Sequence, residues 1–489
     1  MKIYCQNFAK ISVFTLLLCF AITAQPSTTQ EPNAVRVDDR VKQLELQLQA
    51  MQLELETLKS ALTKKETGFA EVETIAVNTG KTENAEKAPN SKTEPEKKTG
   101  TKDLSIDVGN YKVTPYGIIF FNAFGNSSGT NNSDDPLWAT PGGKSNVSAS
   151  GRQTRFGVKI TGGKIGNAAV TGVVEADFYG GFPGVGVGEN MGVLRLRVAK
   201  AEFEWERTSL IAGQDWMIFA PNNPTSIAAA AIPQFAAAGN LWSRLPQVRL
   251  EQKLGKRFKW QGAVLAPGTG DYPTSGTPAL LQPSSGAASN IPFFQSRISY
   301  TEGNWFGTKK TGSIGFGGHY GRSNVTVGNS SSDIDSIGLA VDWNFPIVNR
   351  VDLKGETFFG RNLGGFQGGI FQGYNTDSVF RQDNILTAGG VRGISTRGGW
   401  AQIGWNLPAL KDRLTAFASI GIDSPRRKDL QTLSNRDFRT RNFGYAFDLI
   451  YRLTPEFSIG GEFRRLETSY FFTSKQEASH VNLGASYSF

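Results

Sequence analysis

Seven basic side chains recur at alternate positions of short segments that have the periodicity of β-strands. The segments span residues 152–161, 193–206, 245–254 and 294–301. Their basic residues are Arg155, Lys159, Arg195, Arg197, Arg249, Lys253 and Arg297. Alternate residues of a strand project from the same face, so each segment carries its charges on one side. Arginine binds carboxylate and phosphate groups through paired hydrogen bonds, and the chemistry that this pattern predicts is attraction of anions.

A second interpretation of the same residues is that acids neutralise them. Glu175 and Asp177 lie in one neighbouring segment, and Glu251 alternates with the basic residues of another. Opposite charges on one surface would form ion pairs that brace it. The residues alone do not decide between an anion-guiding surface and a braced one.

The sequence carries no pattern typical of an enzyme. Its only histidines are His319 and His480, far apart and outside any metal-protease or serine-hydrolase motif. Its only cysteines, Cys5 and Cys19, lie in an N-terminal segment that is predicted to be removed. We therefore expect no catalytic residue, no metal site and no cofactor.

The elements that must position the basic residues are strands, and they follow one another from residue 104 to the end of the chain. We count sixteen of them. The predicted strands are 113–126, 152–161, 169–179, 193–206, 209–217, 245–254, 258–266, 294–301, 313–322, 334–344, 351–361, 400–407, 413–423, 441–453, 457–467 and 478–489. In the segment 193–206 the alternation slips between Arg197 and Lys200, which predicts a β-bulge.

Two regularities of these strands indicate a membrane barrel. Short and long connections alternate along the chain, as in outer-membrane barrels with short periplasmic turns and long extracellular loops. Each strand also has an apolar and a polar face, for example Phe443, Tyr445 and Phe447 against Asn442 and Asp448. A charge on the lipid face costs roughly 2–4 kcal/mol at mid-bilayer, so the polar face must line the lumen. The predicted fold is all-β, a 16-stranded antiparallel transmembrane β-barrel, which makes nucleic acid an unsuitable partner.

The third long loop, 219–243, contains no charged residue and is rich in alanine and proline. Its prolines are Pro221, Pro224 and Pro233, and Phe235 is one of its aromatic residues. Such a loop could stay outside as a lid or a contact between subunits, or fold into the lumen and narrow it. Its small residues favour packing against a wall, so we expect a constriction loop.

The first 103 residues differ in composition from the barrel and are predicted to form three segments. Residues 1–24 read as a signal peptide, which leaves a net charge of +9 − 2 = +7 once its two lysines are removed. Residues 33–66 carry an unbroken heptad seam and predict a coiled coil, although one amphipathic helix lying on another surface would show the same spacing. Residues 67–103 read as a flexible linker, and residues 104–489 as the barrel.

Four short motifs resemble DcaP-type porins of Gram-negative bacteria. They are R-Q-T-R-F-G-V-K at 152–159, V-E-A-D-F-Y-G-G at 174–181, A-G-Q-D-W at 212–216 and L-P-Q-V-R-L at 245–250. The resemblance implies a trimeric sixteen-stranded barrel with an N-terminal periplasmic α-helical coiled coil and uptake of small anionic organic solutes. Phosphate-selective porins are a related possibility, although lysines are not concentrated on the lumen faces here.

The expectation from the sequence is thus a Gram-negative outer-membrane porin for passive diffusion of small, dicarboxylate-like anions. The alternatives are a phosphate-type anion porin and a structural anchor that uses the coiled coil as a periplasmic tether. The expected partners are two further copies in a homotrimer, outer-membrane lipid, lipopolysaccharide near the basic loops 426–428 and 436–441, and peptidoglycan through the N-terminal region. Heptads alone do not decide between dimer and trimer.

Overall fold

A computed structural model describes residues 104–181, 192–269, 271, 283–382 and 385–489. The predicted signal peptide, coiled coil and linker, residues 1–103, lie outside the described residues and stay predictions. Among the residues described, no helix is both long enough and apolar enough to cross a membrane.

Strands dominate the described chain, because alternating sequences with aromatic and β-branched residues favour extended backbone. They are β1 (Ile106–Val108), β2 (Tyr111–Asn126), β3 (Asn146–Ser150), β4 (Arg155–Ile165), β5 (Ala168–Asp177), β6 (Arg195–Glu204), β7 (Thr208–Trp216), β8 (Arg244–Leu254), β9 (Phe258–Leu265), β10 (Phe293–Glu302), β11 (Gly312–Val327), β12 (Ser330–Val348), β13 (Val351–Arg361), β14 (Tyr374–Gln382), β15 (Ile385–Gly393), β16 (Ser395–Leu407), β17 (Leu414–Pro425), β18 (Arg439–Arg452), β19 (Phe457–Tyr470) and β20 (Gln476–Ser488). Two short helices, α1 (Ser285–Ala288) and α2 (Gly368–Phe371), lie in the connections.

The strands close into one antiparallel ring. The last strand, β20, pairs with β2 from Ile118↔Ser488 to Asn126↔His480. β3 and β4 pair in succession with the upper and lower halves of β2, so together they form one position in the wall. The short β1 and the separate β14–β15 sheet add nothing to the count. The predicted sixteen-stranded barrel is therefore confirmed. We call the end where β2 begins and β20 ends the base, and the opposite end the rim.

The observed strands differ from the predicted ones mainly where residues turn into the interior of the barrel or where a strand is short. The second predicted strand, 152–161, begins only at Arg155, because Arg152 and Gln153 turn inward between β3 and β4 and are buried. The predicted bulge is present at Arg197, where the register steps from Glu175↔Val198 to Ala176↔Leu196. β1, β3 and the β14–β15 hairpin were not predicted, since each is short or belongs to a loop.

The two faces of the wall have opposite character. Leu339 and Phe447 are 50% and 56% exposed on the outside, although both are apolar. Ser336, Asp342 and Asp448 are buried on the inside. A protein surface in water would present the reverse, whereas a surface in lipid must be apolar. The outward band is therefore the membrane-facing surface, and the core of the molecule lies inside the ring.

Candidate channel interior

The loop 217–243 connects β7 to β8 and lies inside the barrel. The backbone N–H of Thr225 donates to the Gln402 side chain at 2.9 Å, and that of Ile227 donates to Asp448 at 3.1 Å. Gln402 and Asp448 face inward from β16 and β18 and are buried. An uncharged loop reaches this position at low electrostatic cost, because the wall supplies the polar partners for its backbone.

The same loop is also held by Gln153, which lies between β3 and β4. Gln153 donates to the carbonyl oxygen of Ala228 at 2.8 Å and accepts from the N–H groups of Ala230 and Ala231 at 2.8 and 3.0 Å. The loop therefore passes through the interior from β16 and β18 to the break between β3 and β4. Residues 228, 231 and 235–238 are almost fully buried along this path.

Lumen-facing glycines create the space for the loop. A Cβ at Gly317 would overlap the carbonyl of Phe219, and one at Gly421 would lie 2.8 Å from the Phe235 ring. A Cβ at Gly484 would lie 2.7 Å from Ile227. Real Cβ atoms essentially never approach other heavy atoms so closely. Close approach of two backbones thus accounts for glycine at these positions.

The predicted constriction residues have different surroundings. Pro221 is half-buried, whereas Pro224 and Pro233 are buried. Phe235 is 2% exposed and packs against Trp400 and Ala446, so its ring fixes the loop to the wall and does not face open space. These residues shape the loop inside the barrel, and their role as a constriction stays a prediction.

Three of the seven predicted basic residues meet at one place beside the loop. Arg197 donates to Glu175 at 2.7 Å and to Asp177 at 2.6 Å. Arg195 pairs with Asp177 at 2.6 Å, and Arg155 lies 3.8 Å from Glu175. Arg197 is buried at the bulge, but the side chains of Arg155 and Arg195 remain 28% and 23% exposed.

Arg244 joins this group although the sequence analysis did not select it. Its guanidinium donates to the carbonyl oxygen of Ala231 at 3.3 Å, the same oxygen that accepts from Arg195 and Arg197. No carboxylate of the described chain lies within 4.0 Å of it, and its Nη1 is buried without a hydrogen-bond partner. We call Arg155, Arg195, Arg197, Arg244, Glu175 and Asp177 the arginine patch.

Arg244 was missed because it lies just before the predicted strand 245–254, whereas the observed strand begins at Arg244 itself. At the start of β8 the chain still follows the inward loop, and the Arg244 guanidinium stacks over Trp216 and Trp242 with centroid distances of 4.7 and 5.1 Å. Trp242, two residues before it in the sequence, was the available signal, since guanidinium groups favour aromatic faces.

The other predicted basic residues lie away from the patch. Arg249 pairs with Asp215 at 2.8 Å and with Glu251 at 3.0 Å. Arg297 of β10 binds both oxygens of Asp342 of β12, at 2.7 and 2.8 Å. These two arginines are nearly buried and have the geometry of bracing ion pairs. Lys159 and Lys253 are exposed on the lower halves of β4 and β8.

A polar cavity of about 600 Å³ lies between the loop and the base, with Thr225 of the loop among its lining residues. Lys354 of β13 donates to the Thr225 hydroxyl at 3.2 Å, and no described carboxylate lies within 4.0 Å of its ammonium. Gln402, Asn406 and Arg452 also line this space. Lys354 was missed because the sequence analysis compared only the strands that run from rim to base.

The first long loop, 127–145, also contributes an ion-pair network inside the barrel. Arg152 binds Asp134 at 2.6 and 2.8 Å, and Tyr179 donates to the same carboxylate at 2.8 Å. Asp135 accepts from Arg464 at 2.9 Å. Burial raises the pKa of Asp135 to about 7, although the Arg464 guanidinium acts to lower it. This network joins the loop to β19 across the closure of the barrel.

Within the described ranges, no group of three or more potential metal-binding side chains is arranged to hold a metal ion. The predicted histidines are both buried inside the wall. His319 lies 3.0 Å from the Ser336 hydroxyl, and His480 lies 2.9 Å from the Asn126 side chain. Both of these polar partners are neutral side chains of adjacent strands, and the His319 ring also packs against Phe219, Phe293 and Phe366.

Comparison with known proteins gives a match of structure and none of sequence. No family model matches the chain, and no curated protein matches its sequence. The crystal structure of the outer membrane channel DcaP of Acinetobacter baumannii superposes with a TM-score of 0.58 and 19% identity, covering 78% of this chain and 99% of that one. The anion-selective porin from Comamonas acidovorans gives a TM-score of 0.49 and 12% identity, covering 78% of this chain and 100% of that one. The chain therefore has the fold of the DcaP channel, as the resemblance of its sequence motifs indicates.

Proposed function

We propose that the chain is a DcaP-type porin, a water-filled channel for passive diffusion of small anionic organic solutes with dicarboxylate-like chemistry. The observation that carries this proposal is the composition of the arginine patch. Four guanidinium groups meet there with two carboxylates, beside the loop 217–243 inside the barrel. The patch has a formal excess of two positive charges, which an anion would neutralise.

The geometry of the arginine patch allows its guanidinium groups to bind the carboxylate of a solute. Arg155 and Arg195 are partly exposed, and Arg155 is only loosely paired at 3.8 Å. Arg197 is buried between two carboxylates and holds the patch together. A passing carboxylate can therefore bind Arg155, Arg195 or Arg244 without breaking the Arg197 pairs. Positive charge in a narrow, low-dielectric opening raises the local concentration of anions.

Lys354 supplies a second basic group on the base side of the loop. It faces a cavity that Gln402 and Asn406 line with neutral polar groups. A solute that passes the arginine patch would thus meet another unpaired cation before it leaves. Weak sites in series suit passage, since each one attracts the solute without retaining it.

We place the barrel in the outer membrane of a Gram-negative cell, with the base towards the periplasm. Both ends of the barrel segment lie at the base, which leaves the predicted coiled coil, 33–66, on the periplasmic side. Three copies would associate as a homotrimer. Outer-membrane lipid and lipopolysaccharide would surround them, and the N-terminal region would contact peptidoglycan.

Two other functions make different demands on the interior. A phosphate-type porin would favour a row of lysines along the channel, but the basic residues of the patch are arginines, and Lys354 lies away from the patch on β13. A structural anchor would need no passage, and the apolar cluster of Phe219, Phe293 and Phe366 inside the barrel favours that role. Arginine binds carboxylate and phosphate alike, so the preference for organic carboxylates over phosphate depends on the scarcity of lysines in the patch. The partly exposed guanidiniums of Arg155 and Arg195 favour a channel over an anchor.

Recording from the refolded protein in a planar bilayer tests the proposal. We expect stepwise conductance, a reversal potential with the sign of anion preference under a salt gradient, and a current reduced by millimolar dicarboxylate. Absence of conductance would support the anchor. A cation preference would overturn the proposal, and block by phosphate but not by dicarboxylate would favour the phosphate-type porin.

A further inference from the structure

A basic groove lies on the outer surface of the wall near the rim, away from the interior. It is a depression of about 760 Å³ that crosses β12, β13, β16 and the end of β17. Its apolar floor contains Ile337, Leu339 and Phe359, which are 47%, 50% and 60% exposed. Its basic residues are Arg361, Arg397, Arg426 and Arg427, and all four are exposed.

The pairing of the strands sets these arginines beside the apolar floor. Arg397 of β16 lies opposite Phe359 of β13, and Arg361 lies two residues further along β13 towards the rim. Ile337 of β12 lies opposite Arg361 on the other side. Neighbouring strands lie about 4.8 Å apart, so the two arginines face the same small area above the floor.

The arginines of the groove differ from two other outward arginines near the rim. Arg322 of β11 pairs with Asp335 at 3.0 Å, and Arg465 of β19 pairs with Glu477. By contrast, Arg361 and Arg397 have no described carboxylate within 4.0 Å. Unpaired charges above an apolar floor suit an anionic partner that also carries hydrocarbon.

We infer that the groove binds the phosphate-bearing end of an outer-leaflet glycolipid, lipid A of lipopolysaccharide, with its phosphates on the arginines and an acyl chain on the floor. Arginine binds phosphate through paired hydrogen bonds, and Ile337, Leu339 and Phe359 offer hydrocarbon contact below the headgroup. The inference depends on the proposed outer-membrane location and the orientation of the rim. It does not depend on which solute the channel carries.

Native mass spectrometry of the folded full-length protein with bisphosphorylated lipid A tests the inference. We expect the double variant Arg361→Gln/Arg397→Gln to bind lipid A about thirtyfold more weakly than the wild type, from two lost charge contacts. Arg361→Lys/Arg397→Lys should fall between them, since lysine keeps the charge but loses the fork. Arg465→Gln is the matched control. It should bind lipid A as tightly as the wild type does, because Arg465 already forms an ion pair with Glu477. Lipid A without phosphates should show no difference among the proteins.

Several results would overturn the inference. They are unchanged lipid A binding by the Gln variant, an equal loss with Arg465→Gln, or inorganic phosphate binding as tightly as lipid A. A disulfide between copies carrying Phe359→Cys would identify the groove as a subunit contact and would also overturn it. Heat-modifiable gel mobility verifies that each variant is folded, and the lysine variant keeps the test valid if the Gln variant does not fold. Since the groove lies outside the lumen, conductance should be unchanged in every variant, which separates this test from that of the channel.

Discussion

Neutralising two guanidinium groups of the arginine patch should abolish the anion preference of the channel. Arg155→Gln/Arg244→Gln leaves two guanidiniums facing Glu175 and Asp177, so the formal charge of the patch falls from +2 to zero. Arg197 keeps both of its carboxylates, and the loop keeps its bonds from Arg195 and Arg197 to Ala231. The substitution therefore changes charge without removing the main support of the loop.

The size of the effect follows from Coulomb's law. A charge of +2 about 8 Å from a monovalent anion in water lowers the free energy of that anion by about 1 kcal/mol. At 0.1 M salt, with a Debye length of about 10 Å, screening reduces this to about 0.5 kcal/mol, an enrichment of about twofold for a monoanion and about fivefold for a dianion. At 1 M salt the Debye length is about 3 Å and the preference should nearly vanish.

Reversal potentials under a potassium chloride gradient, and then a potassium dicarboxylate gradient, measure this preference. We expect the wild type to favour anions, more strongly with the dicarboxylate, and the double variant to show a permeability ratio near that of free solution. Glu175→Gln should act in the opposite direction, because it raises the formal charge of the patch to +3. Arg350→Gln, which breaks the exposed pair with Asp412 on a turn at the base, is the control for loss of one positive charge elsewhere. An unchanged ratio in the double variant, or an equal change with Arg350→Gln, would refute the reasoning.

Three further predictions concern the loop, the first-loop network and the N-terminal segment. Gly421→Ala should loosen the loop 217–243, because the new methyl group overlaps Ala238 and Phe235. Denaturant titration should show a free energy of unfolding lower by about 1–3 kcal/mol, and bilayer recording should show an altered conductance. The control Gly461→Ala, whose Cβ would have its nearest neighbour at 3.5 Å, should change neither quantity. Burial raises the pKa of Asp135 from 3.8 to about 7, although Arg464 acts to lower it. The stability that the protonated Asp135 contributes is therefore complete below pH 3.8 and is lost as the pH rises through about 7. Asp135→Asn should reduce the change of the thermal unfolding midpoint between pH 4 and pH 8, and an unchanged pH dependence in this variant would contradict this account. A peptide of residues 33–66 should self-associate in sedimentation equilibrium, and Leu48→Asp/Leu55→Asp should make it monomeric by placing charges in the seam; a monomeric wild-type peptide would disprove the coiled coil.

The wall of the barrel was predictable from the sequence because its determinants are local. Lipid on one side and water on the other impose a two-residue period on every strand, so Phe447 and Asp448 reveal their faces without knowledge of their neighbours. The number of strands follows from counting that period between turns. β13 was predicted with its observed bounds, Val351–Arg361, whereas β4 was predicted to begin too early, at Arg152. Arg152 and Gln153 are held inward by Asp134 of the loop 127–145 and by Ala230 of the loop 217–243, contacts that strand periodicity does not show.

The pairing of charges inside the barrel was decided only by the tertiary structure. Arg297 and Asp342 are 45 positions apart, and Arg464 and Asp135 are 329 apart, so their contact depends on register and on the closure of the ring. The sequence showed which of the seven predicted basic residues point inward, but it did not show that Arg249 and Arg297 form ion pairs with acidic side chains. It also left Arg244 out, because that residue precedes the predicted strand 245–254 and strand alternation does not apply where the chain leaves a loop that folds inward. The periodicity of a strand fixes the direction of a side chain, whereas its partner is chosen by the strand or loop that the fold brings opposite it.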